Sequence, residues 1–316
     1  MGTEDRTERR TLVAVRPGRA DALLAEAFPD LTRARVQRRM EVGGVLLNGL
    51  VVRKSARVEL GDELTLTLDL SPAHPAPVEF DIPVLYEDES LLAIDKPARL
   101  AVHGAPGDTT PSVAGWFAAR MGDALTGFES EYPGVVHRLD KDTTGVLLLA
   151  KTPAAQAALS SAFEQRAAHK AYVAVCDGVP ARREAVIDAP IARHPADRTR
   201  MGIVRHGRAS RTHYEVLAQA DEHAFVLVTP ETGRTHQIRV HLAAVGIPVT
   251  FDAVYGKAGA GRQLLHAWRL EIPHPDGGVL TVTAPLPAEI VAFLGEIGLD
   301  DVASSYSTAA PASLTT

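Results

Sequence analysis

The sequence predicts an α+β protein in which a small N-terminal module precedes a larger domain of mixed strands and helices. The chain has 316 residues, which corresponds to about two domains. Its 46% of hydrophobic and 23% of charged residues are typical of globular proteins and allow a sizeable core. A proline-rich segment, SPAHPAP at residues 71–77, separates two regions with different patterns and indicates a semi-rigid linker.

The N-terminal module is predicted to contain two helices and a small β-ribbon. Apolar residues at helical spacing predict the first helix over residues 20–28. Thr32 is the expected N-cap of the second helix, which the glycine pair at residues 43–44 ends. An Asn-Gly pair at residues 48–49 indicates a hairpin turn, and a further strand pair is expected around residues 61–62.

The larger domain shows apolar strand patterns alternating with helical ones. Strands are predicted over Leu91–Asp95, Gly145–Lys151, Ala171–Asp177 and Ala224–Thr229. One helix is predicted to follow Thr152, with proline at its first position, and to continue through Phe163. Another is predicted over Thr235–Val245, before Gly246.

These patterns set the predicted boundaries. They are an N-terminal extension over residues 1–17, a small α/β module over 18–69, the linker over 70–79, the large domain over 80–297 and a disordered tail over 298–316. The tail is assigned to disorder because its residues are small, polar and unpatterned.

Charge is distributed unevenly along the chain. The net charge of -6 on its own argues against a nucleic-acid partner. However, Leu31–Arg57 contains seven basic residues and one acid, and Arg193–Arg211 contains six arginines and one acid. The two segments therefore favour contacts with an anionic partner that the total charge hides.

Three features of the sequence bear on location. The single cysteine, Cys176, excludes an intramolecular disulfide and a cysteine-built zinc finger. The first residues, MGTEDRTERR, lack the apolar core of a secretory signal. No apolar run approaches the roughly 18 residues that span a bilayer. We therefore expect a soluble, cytoplasmic protein that does not contact a membrane.

Two dense polar segments are candidates for chemistry. GVVHRLDKDTTG, at residues 134–145, places Asp140 between two apolar runs, where a rigid core can hold a functional loop. A solvated turn with local ion pairs explains this pattern equally well. TGRTHQIRVHL, at residues 232–242, gathers Arg, His and Gln at a helix start, which favours anions. A helix with an exposed basic face is the alternative there.

Several other site types are disfavoured. The chain has no HExxH zinc motif, phosphate loop or dinucleotide fingerprint. His236 and His241 are five residues apart, which turns the second about 140° around a helix. No GxSxG nucleophile motif is present. These observations predict no metal site and leave the Asp140 carboxylate as the best-placed nucleophile or base.

The motifs themselves resemble a known family. VVHRLDKDTTGVLLLAKT (135–152) resembles the signature of the RluA-type pseudouridine synthases, and GRTHQIRVHLAAVGIP (233–248) is similar to their later motif. DKP (95–97), HKAY (169–172) and LHA (265–267) add to the resemblance. The N-terminal module resembles the S4 RNA-binding domain that some members carry. The resemblance covers nearly all of the chain between its two ends.

The resemblance implies an α+β fold whose catalytic domain has a mixed, mainly antiparallel sheet flanked by helices. It also implies isomerisation of uridine to pseudouridine in RNA. The bond from the base to ribose C1′ breaks, the base turns, and its C5 carbon joins C1′. Because atoms and redox state are conserved, neither a metal nor a nucleotide cofactor is implied.

The resemblance also implies roles for individual residues. Asp140 matches the catalytic aspartate and Arg239 the arginine that holds it ionised. Tyr172 matches the tyrosine that stacks on the base and helps to remove the C5 proton. Arg138 matches the residue that fills the space of the flipped-out nucleotide. His137 and Lys96 are the other implied substrate-binding residues.

RNA is the implied partner. The expected phosphate contacts are Arg33, Arg35, Arg38, Arg39, Arg53, Lys54, Arg198 and Arg200. The S4-like module suggests large-subunit ribosomal RNA as the substrate and the D-type subgroup as the nearest likeness, and a monomer is sufficient for this activity. Two other hypotheses stay open: a non-catalytic RNA-binding or ribosome-assembly factor that retains the fold, and a histidine-based metallohydrolase.

The sequence departs from the family pattern at three positions. Arg99 and Phe251 stand where the family usually has glycine, and Gly104 stands where it often has proline. A side chain at a glycine position opposes a positive φ or a close backbone approach. The departures therefore leave loop shape and substrate choice open, but not the chemistry at Asp140.

Overall fold

A computed structural model shows a chain that divides into two compact units, Met1–Ala73 and His74–Thr316. The residues it describes are all except 1–6, 30, 32, 54, 70–79, 105–109, 126, 129, 131, 308–311 and 316. The division between the units falls within residues 70–79, so the predicted linker lies outside the described residues. The predicted N-cap Thr32 and the predicted RNA contact Lys54 also lie outside them.

The N-terminal unit contains helices and short antiparallel strands. Its elements are β1 Thr7–Val13, β2 Gly18–Arg19, α1 Ala20–Ala27, α2 Arg33–Glu41, β3 Val45–Leu47, β4 Leu50–Val51, β5 Arg57–Val58 and β6 Glu63–Asp69. Asn48 and Gly49 have φ of 51° and 81°, which confirms the predicted hairpin turn between β3 and β4. Leu24 of α1 and Val36 of α2 are buried against the strands, so both helices share one small core.

One prediction for this unit is wrong. The strands on either side of residues 61–62 do not pair with each other, because β5 pairs with β2 and β6 pairs with β1 and β3. The amide of Gly61 donates to the carbonyl of Ala14 instead of closing a hairpin. Residues 7–13 of the predicted extension form β1, which pairs with the whole length of β6. Their charged residues hide the strand pattern in the sequence.

The second unit is built on one large sheet. Its strands are β7 Val84–Glu87, β8 Leu91–Lys96, β9 Thr144–Ala150, β10 His169–Asp177, β11 Glu184–Asp188, β12 Ile191–Arg193, β13 Met201–Ile203, β14 Arg211–Ala220, β15 His223–Pro230, β16 Leu265–Pro273, β17 Val279–Thr283 and β18 Ala312–Thr315. Its helices are α3 Val113–Met121, a 3₁₀ turn at Gly122–Leu125, α4 Pro153–Glu164, α5 Gln237–Ala244, α6 Ala288–Glu296 and α7 Asp300–Ser307. The four predicted strands and both predicted helices of this domain are confirmed to within two residues.

The sheet is mixed and mainly antiparallel, as predicted. The strand order is β11-β14-β15-β10-β16-β9-β8-β7, and β17 joins β16 on the side that β9 also uses. The pair β9–β16 is parallel, with His266 opposite Thr144. This approach requires Gly145, which has φ of 108°, because a Cβ there would lie 2.2 Å from the carbonyl oxygen of Ala267. The last glycine of HRLDKDTTG therefore joins the two strands.

The centre of the sheet is covered on both faces. Along β8 and β9, alternate apolar side chains point to opposite faces. Leu147 packs on one face with Phe117 of α3, and Leu148 packs on the other with Leu159 of α4. The side chain of Thr152 accepts a hydrogen bond from the amide of Ala155 at 3.1 Å and caps α4. The loop that carries Asp140 thus enters β9 over a rigid core.

The predicted disordered tail is wrong for the residues that α7 and β18 contain. Tyr306 of α7 packs against Phe225 and Trp268, with ring centroids 5.6 and 4.7 Å away. β18 pairs antiparallel with β17. The helix buries a stripe of few residues among many polar ones, which a pattern search over the sequence does not detect. No helix in the described part of the chain has both the length and the apolar character needed to cross a membrane.

Candidate active site

The two polar segments singled out in the sequence face one cleft of about 710 Å³. The loop before β9 contributes residues 136–140 to its wall, and the end of β15 with the start of α5 contributes residues 230–239. α4 and the start of β10 supply the remaining side, including Phe163 and Tyr172. The mixed sheet therefore brings together segments that are about 100 residues apart in sequence.

Asp140 is held at the cleft surface by an arginine. The Nη1 group of Arg239 donates to Oδ2 of Asp140 at 3.0 Å. The Asp140 side chain stays 21% exposed, whereas that of Arg239 is only 8% exposed. The arginine is therefore set into the protein, and the carboxylate remains accessible from the cleft.

A second carboxylate fixes this arginine. Nε and Nη2 of Arg239 donate to the two oxygens of Asp252 at 2.7 and 2.9 Å. Asp252 is buried and also accepts from the amides of Val254 and Tyr255. Burial alone opposes both charges, but the pairing outweighs it, so the pKa of Asp252 is lowered and that of Arg239 is raised. The guanidinium therefore stays charged and cannot turn away from Asp140.

His236 adds a second contact to the carboxylate. Its Nε2 lies 3.9 Å from Oδ2 of Asp140, and its Nδ1 lies 2.8 Å from the hydroxyl of Tyr255. That hydroxyl accepts a hydrogen bond from the amide of Met201, so its proton is free to be donated to Nδ1. We assign the tautomer with hydrogen on Nε2, facing Asp140. Burial lowers the pKa of His236, which favours this neutral ring.

The backbone at His236 is held in a left-handed conformation, with φ of 56°, at the N-cap of α5. Such a conformation costs a non-glycine residue on the order of 1 kcal/mol. The side chain of Gln237 stabilises this turn, because its Oε1 accepts from the Thr232 hydroxyl and from the amide of Arg234. His236 was singled out in the sequence as part of the motif, but its orientation towards Asp140 was not predicted.

The loop after Asp140 is held residue by residue. The carbonyls of Lys141 and Asp142 accept from Lys96 and Arg262 at 3.0 and 3.1 Å. The hydroxyl of Thr143 accepts from Gln263, and that of Thr144 accepts from Arg262. Four consecutive residues are thus fixed by three side chains from distant parts of the chain. Arg262 and Gln263 belong to no motif that the sequence revealed, although only Leu264 separates them from the LHA match.

Lys96 is not placed to bind substrate, contrary to the prediction. It is 0% exposed, and its Nζ donates to the carbonyls of Pro97, Leu100 and Lys141. Burial lowers its pKa to about 7. Its geometry instead makes it a support for the loops on either side of it, since all of its donors are directed at backbone carbonyls.

His137 lines the cleft, but its ring nitrogen is engaged. Nε2 accepts from the amide of Leu148 at 2.8 Å, and the ring stacks on Phe163. Burial and the charge of Lys170 lower the pKa of His137 to about 3. The ring is therefore neutral, with its hydrogen on Nδ1, and offers no charge to a phosphate. Its role in substrate binding stays a prediction.

Tyr172 and Arg138 are the residues with a predicted role beside the flipped base, and the structure places both at the cleft. Both line the cleft with Asp140. Burial, followed by the charge of Asp140, raises the pKa of Tyr172 well above its ordinary value. Arg138 is exposed at the rim. The three side chains therefore face the same space.

The second histidine of the later motif has a structural position. Nδ1 of His241 contacts the Thr212 hydroxyl at 2.9 Å and Nε2 contacts the carbonyl of Ala189 at 3.0 Å. With both nitrogens engaged, His241 is unavailable to a metal, and it does not face the same space as His236. This arrangement disfavours the metallohydrolase hypothesis.

The predicted RNA contacts of the N-terminal unit differ in environment. Arg33 and Arg19 both bind the buried carboxylate of Asp21, whose pKa the hydrogen bonds hold below its ordinary value against the effect of burial. Arg39 donates to the carbonyl of Thr67, whereas Arg53 is exposed. The structure describes no side chain for Arg35 and Arg38 of α2. Asp21 lies outside the basic segment counted in the sequence, so part of that charge is neutralised.

The second basic segment includes two predicted RNA contacts. Arg198 is exposed, and its carbonyl accepts from Arg193. Arg200 instead lies over the ring of Tyr255, with its guanidinium carbon 5.6 Å from the ring centroid. Arg239 lies over the same ring at 5.1 Å. Arg200 is therefore linked to the environment of Asp140, which the sequence did not indicate.

The two departures from family glycines keep a glycine-like backbone. Arg99 and Phe251 have φ of 63° and 62°, both in the left-handed region. The ring of Phe251 lies against Phe293 and covers Gly259, where a Cβ would lie 2.0 Å from it. Both residues thus hold a backbone conformation that glycine adopts readily, and their side chains are accommodated at a conformational cost.

The chain is similar in sequence to known protein families. A family described as RNA pseudouridylate synthase matches residues 90–244, and the S4 domain family matches residues 18–64. An uncharacterised RNA pseudouridine synthase of Synechocystis sp. is 38% identical over 287 residues, which cover 87% of this chain and 88% of its own. Ribosomal large subunit pseudouridine synthase D of Nitrosomonas europaea is 37% identical, with 88% of this chain and 84% of its own covered.

Solved structures show the same similarity. Human RNA pseudouridylate synthase domain containing 1 superposes with a TM-score of 0.57 at 25% identity, covering 73% of this chain and 96% of that one. Human RNA pseudouridylate synthase domain containing 4 gives a TM-score of 0.54 at 28% identity, covering 68% and 93%. Sequence motifs, sheet topology and solved folds thus point to one family.

Proposed function

The chain belongs to the RNA pseudouridylate synthase family and is an RNA pseudouridine synthase, and we propose that it acts on specific uridines of large-subunit ribosomal RNA. The S4 domain supports a structured RNA substrate. The relative from Nitrosomonas europaea is named for the large ribosomal subunit, and so is one from Xanthomonas campestris at 36% identity.

We assign the chemistry to Asp140. The observation that carries this assignment is the 3.0 Å bond from Arg239 to a carboxylate that remains 21% exposed to the cleft. Asp252 locks the guanidinium, so the carboxylate of Asp140 is held in one position before substrate binds. Such fixed placement of a reacting group supplies a large part of the catalytic effect in many enzymes.

In the proposed reaction Asp140 acts as nucleophile or base at the ribose of a flipped-out uridine. The N1–C1′ bond breaks and a C5–C1′ bond forms. The proton on C5 leaves, and N1 ends with a proton. The raised pKa of Tyr172 keeps its hydroxyl protonated near neutral pH, so we assign its ring to stacking on the base. Arg138, exposed at the rim, takes the space the nucleotide vacates.

The assignment of Asp140 predicts that Asp140→Asn abolishes pseudouridine formation and leaves RNA binding nearly unchanged. Asn keeps the size of the side chain but removes the charge that attacks or accepts a proton. Asp142→Asn is the matched control, since Asp142 is the next acid along the same loop and does not line the cleft. Pseudouridine in a defined transcript and the RNA Kd are the measurements. Wild-type activity of Asp140→Asn would contradict the assignment.

The substrate is tested separately by mapping pseudouridines in total RNA from cells with and without the gene. We expect sites to disappear from large-subunit ribosomal RNA when the gene is deleted. Loss of sites only from transfer RNA would contradict the ribosomal substrate and leave the enzymatic activity intact. Unchanged maps would support the hypothesis of a non-catalytic RNA-binding factor.

A further inference from the structure

Four basic side chains at the cleft, in addition to Arg138, have no acidic partner among the residues that the structure describes. The four are Arg166, Lys170, Arg208 and Arg234. Arg138, at the rim, is not counted among them. Within the described part of the chain, none of the four has a carboxylate oxygen within 4.0 Å. Other cleft charges are balanced, because Arg239 binds two carboxylates and Glu231 pairs with Arg211. The positive charge of the four is therefore left for a ligand to neutralise.

Lys170 is the most confined of the four. It lies on β10 two residues before Tyr172, and both side chains line the cleft. The side chain is half-buried, and burial followed by the charge of Arg234 lowers its pKa. A half-buried ammonium without an acid is unfavourable on its own and is stabilised when an anion binds beside it.

Arg234 brings the other two arginines to the same place. Its Nε donates to the carbonyl of Ala209 at 3.4 Å, which ties the turn before α5 to the segment carrying Arg208. Burial, and then the charges of Arg208 and Arg166, lower the pKa of Arg234. The preceding residue is Gly233, where an added Cβ would lie 3.8 Å from Nζ of Lys170. The three arginines and the lysine thus converge from separate segments.

One acid opposes them at this end of the cleft. Glu164, the last residue of α4, is exposed and lines the cleft two residues before Arg166. Four cations against one free carboxylate leave a positive balance. Guanidinium groups bind phosphate oxygens through two parallel N–H donors, and lysine binds them as a point charge. The cluster therefore matches a phosphate group in charge and in the kind of donor it offers.

We propose that Arg166, Lys170, Arg208 and Arg234 form a subsite for a backbone phosphate of the RNA strand that carries the target uridine. This inference rests on the proposed function. Lys170 is separated from Tyr172 by one strand repeat, about 7 Å. This length is comparable with a nucleotide, so a phosphate on the subsite lets the adjoining base reach Tyr172 and Asp140. The subsite fixes the strand while the base leaves its stack.

The experiment measures RNA binding as a function of salt. The probe is an unmodified in vitro transcript of large-subunit ribosomal RNA, and Kd is measured by filter binding between about 50 and 200 mM salt. Lys170→Met and Arg234→Gln are each expected to reduce the slope of log K against log salt by about 0.7 to 0.9, the loss of one phosphate contact. Arg234→Lys keeps the charge and is expected to keep most of the slope.

Arg182→Gln is the matched control, because Arg182 is exposed and does not line the cleft. Thermal unfolding verifies that each variant is folded. Wild-type slopes for folded Lys170→Met and Arg234→Gln would overturn the subsite, even if pseudouridine forms normally. Reduced slopes support it, even if the wild-type enzyme forms no pseudouridine in this transcript, which would instead refute the proposed substrate. The two failures are thus distinguishable.

Discussion

At the residue scale, the site depends on an arginine whose three guanidinium nitrogens all donate hydrogen bonds to carboxylates. Arg239 gives two donors to Asp252 and one to Asp140, and its side chain is almost completely buried. A lysine has no planar fork and cannot satisfy both carboxylates in this geometry. The pairing of Arg239 with Asp140 was expected from the family resemblance. Asp252 was not, because nothing in the sequence marks its side chain as buried.

Asp95 gives a prediction about stability and pH. Burial, and then the charge of Glu289, raise its pKa to about 6. The unfolded chain has a pKa near 3.9 at this residue. Between these values the folded protein holds a proton that the unfolded chain has lost, so stability decreases as pH rises from about 4 to 6. Asp95→Asn is expected to stabilise the protein by about 1 to 3 kcal/mol near pH 7 and to give no gain near pH 4.

Urea unfolding at the two pH values measures this difference. Glu222→Gln is the control, because Glu222 is exposed. This substitution removes one carboxylate and so changes the charge by the same amount as Asp95→Asn. The control is expected to show no such dependence. A gain for Asp95→Asn that is equal at both pH values would contradict the assignment of the raised pKa to Asp95.

The two residues predicted to bind substrate but found to bind backbone groups share one physical reason for this difference. Lys96 and His137 stand beside the functional segments in sequence, but their polar atoms bind backbone groups that the neighbouring strands leave unpaired. Buried backbone groups must find partners, and a nearby long or aromatic side chain is the available one. A motif identifies such residues without showing whether they face the cleft or the backbone.

At the scale of elements, the loop at residues 141–144 predicts a role for Arg262. This side chain donates to the carbonyls of Asp142, Gln263 and Leu265 and to the hydroxyl of Thr144, and it pairs with Glu289. Arg262→Gln loses most of these bonds. Asp140 is then held less firmly, and kcat is expected to fall by about 10- to 100-fold, while KM and the RNA Kd change little.

The control for this experiment is Arg269→Gln. It removes a half-exposed arginine of β16 that pairs with Glu271 of the same strand. Single-turnover rates and Kd separate chemistry from binding, and a melting curve reports the loss of stability. If kcat of a folded Arg262→Gln protein equals that of the wild type, the loop does not depend on this residue.

The elements differ in how far sequence predicted them. Strands such as β8 and β9 were predicted because both faces are buried and the apolar run is unbroken. The cap of α4 was predicted because Thr152 and Pro153 act locally. The parallel pairing of β9 with β16 was not predicted, since it depends on Gly145 meeting Ala267, more than 100 residues away. Local signals are readable, whereas pairings over such distances are not.

At the scale of the whole molecule, the division into two units predicts separable functions. Each unit has its own buried core. A chain that begins at residue 74 is therefore expected to fold and to retain pseudouridine formation with a higher KM. Its salt slope is expected to fall by about 0.7 to 0.9 for each phosphate contact that the S4 domain makes.

Arg53→Gln in the full-length protein is the matched single change, since Arg53 is exposed in the N-terminal unit. Filter binding over a range of salt measures both proteins. An unchanged slope for the truncated chain would show that the S4 domain is not an electrostatic contact. The net charge of -6 predicted none of this, because opposite charges in different segments cancel in the sum.

The side chains that hold the loop at residues 141–144 also determine when the active site is completed during synthesis of the chain. The loop is made early, but Arg262 and Gln263, which hold it, follow about 120 residues later. At roughly 5–20 residues per second, a ribosome needs about 6 to 24 seconds to add them. Throughout that interval the nascent chain carries Asp140 on a loop that lacks the supports from Arg262 and Gln263. The enzyme therefore acquires its finished catalytic geometry only after residues 262 and 263 have been made and β16 pairs beside β9.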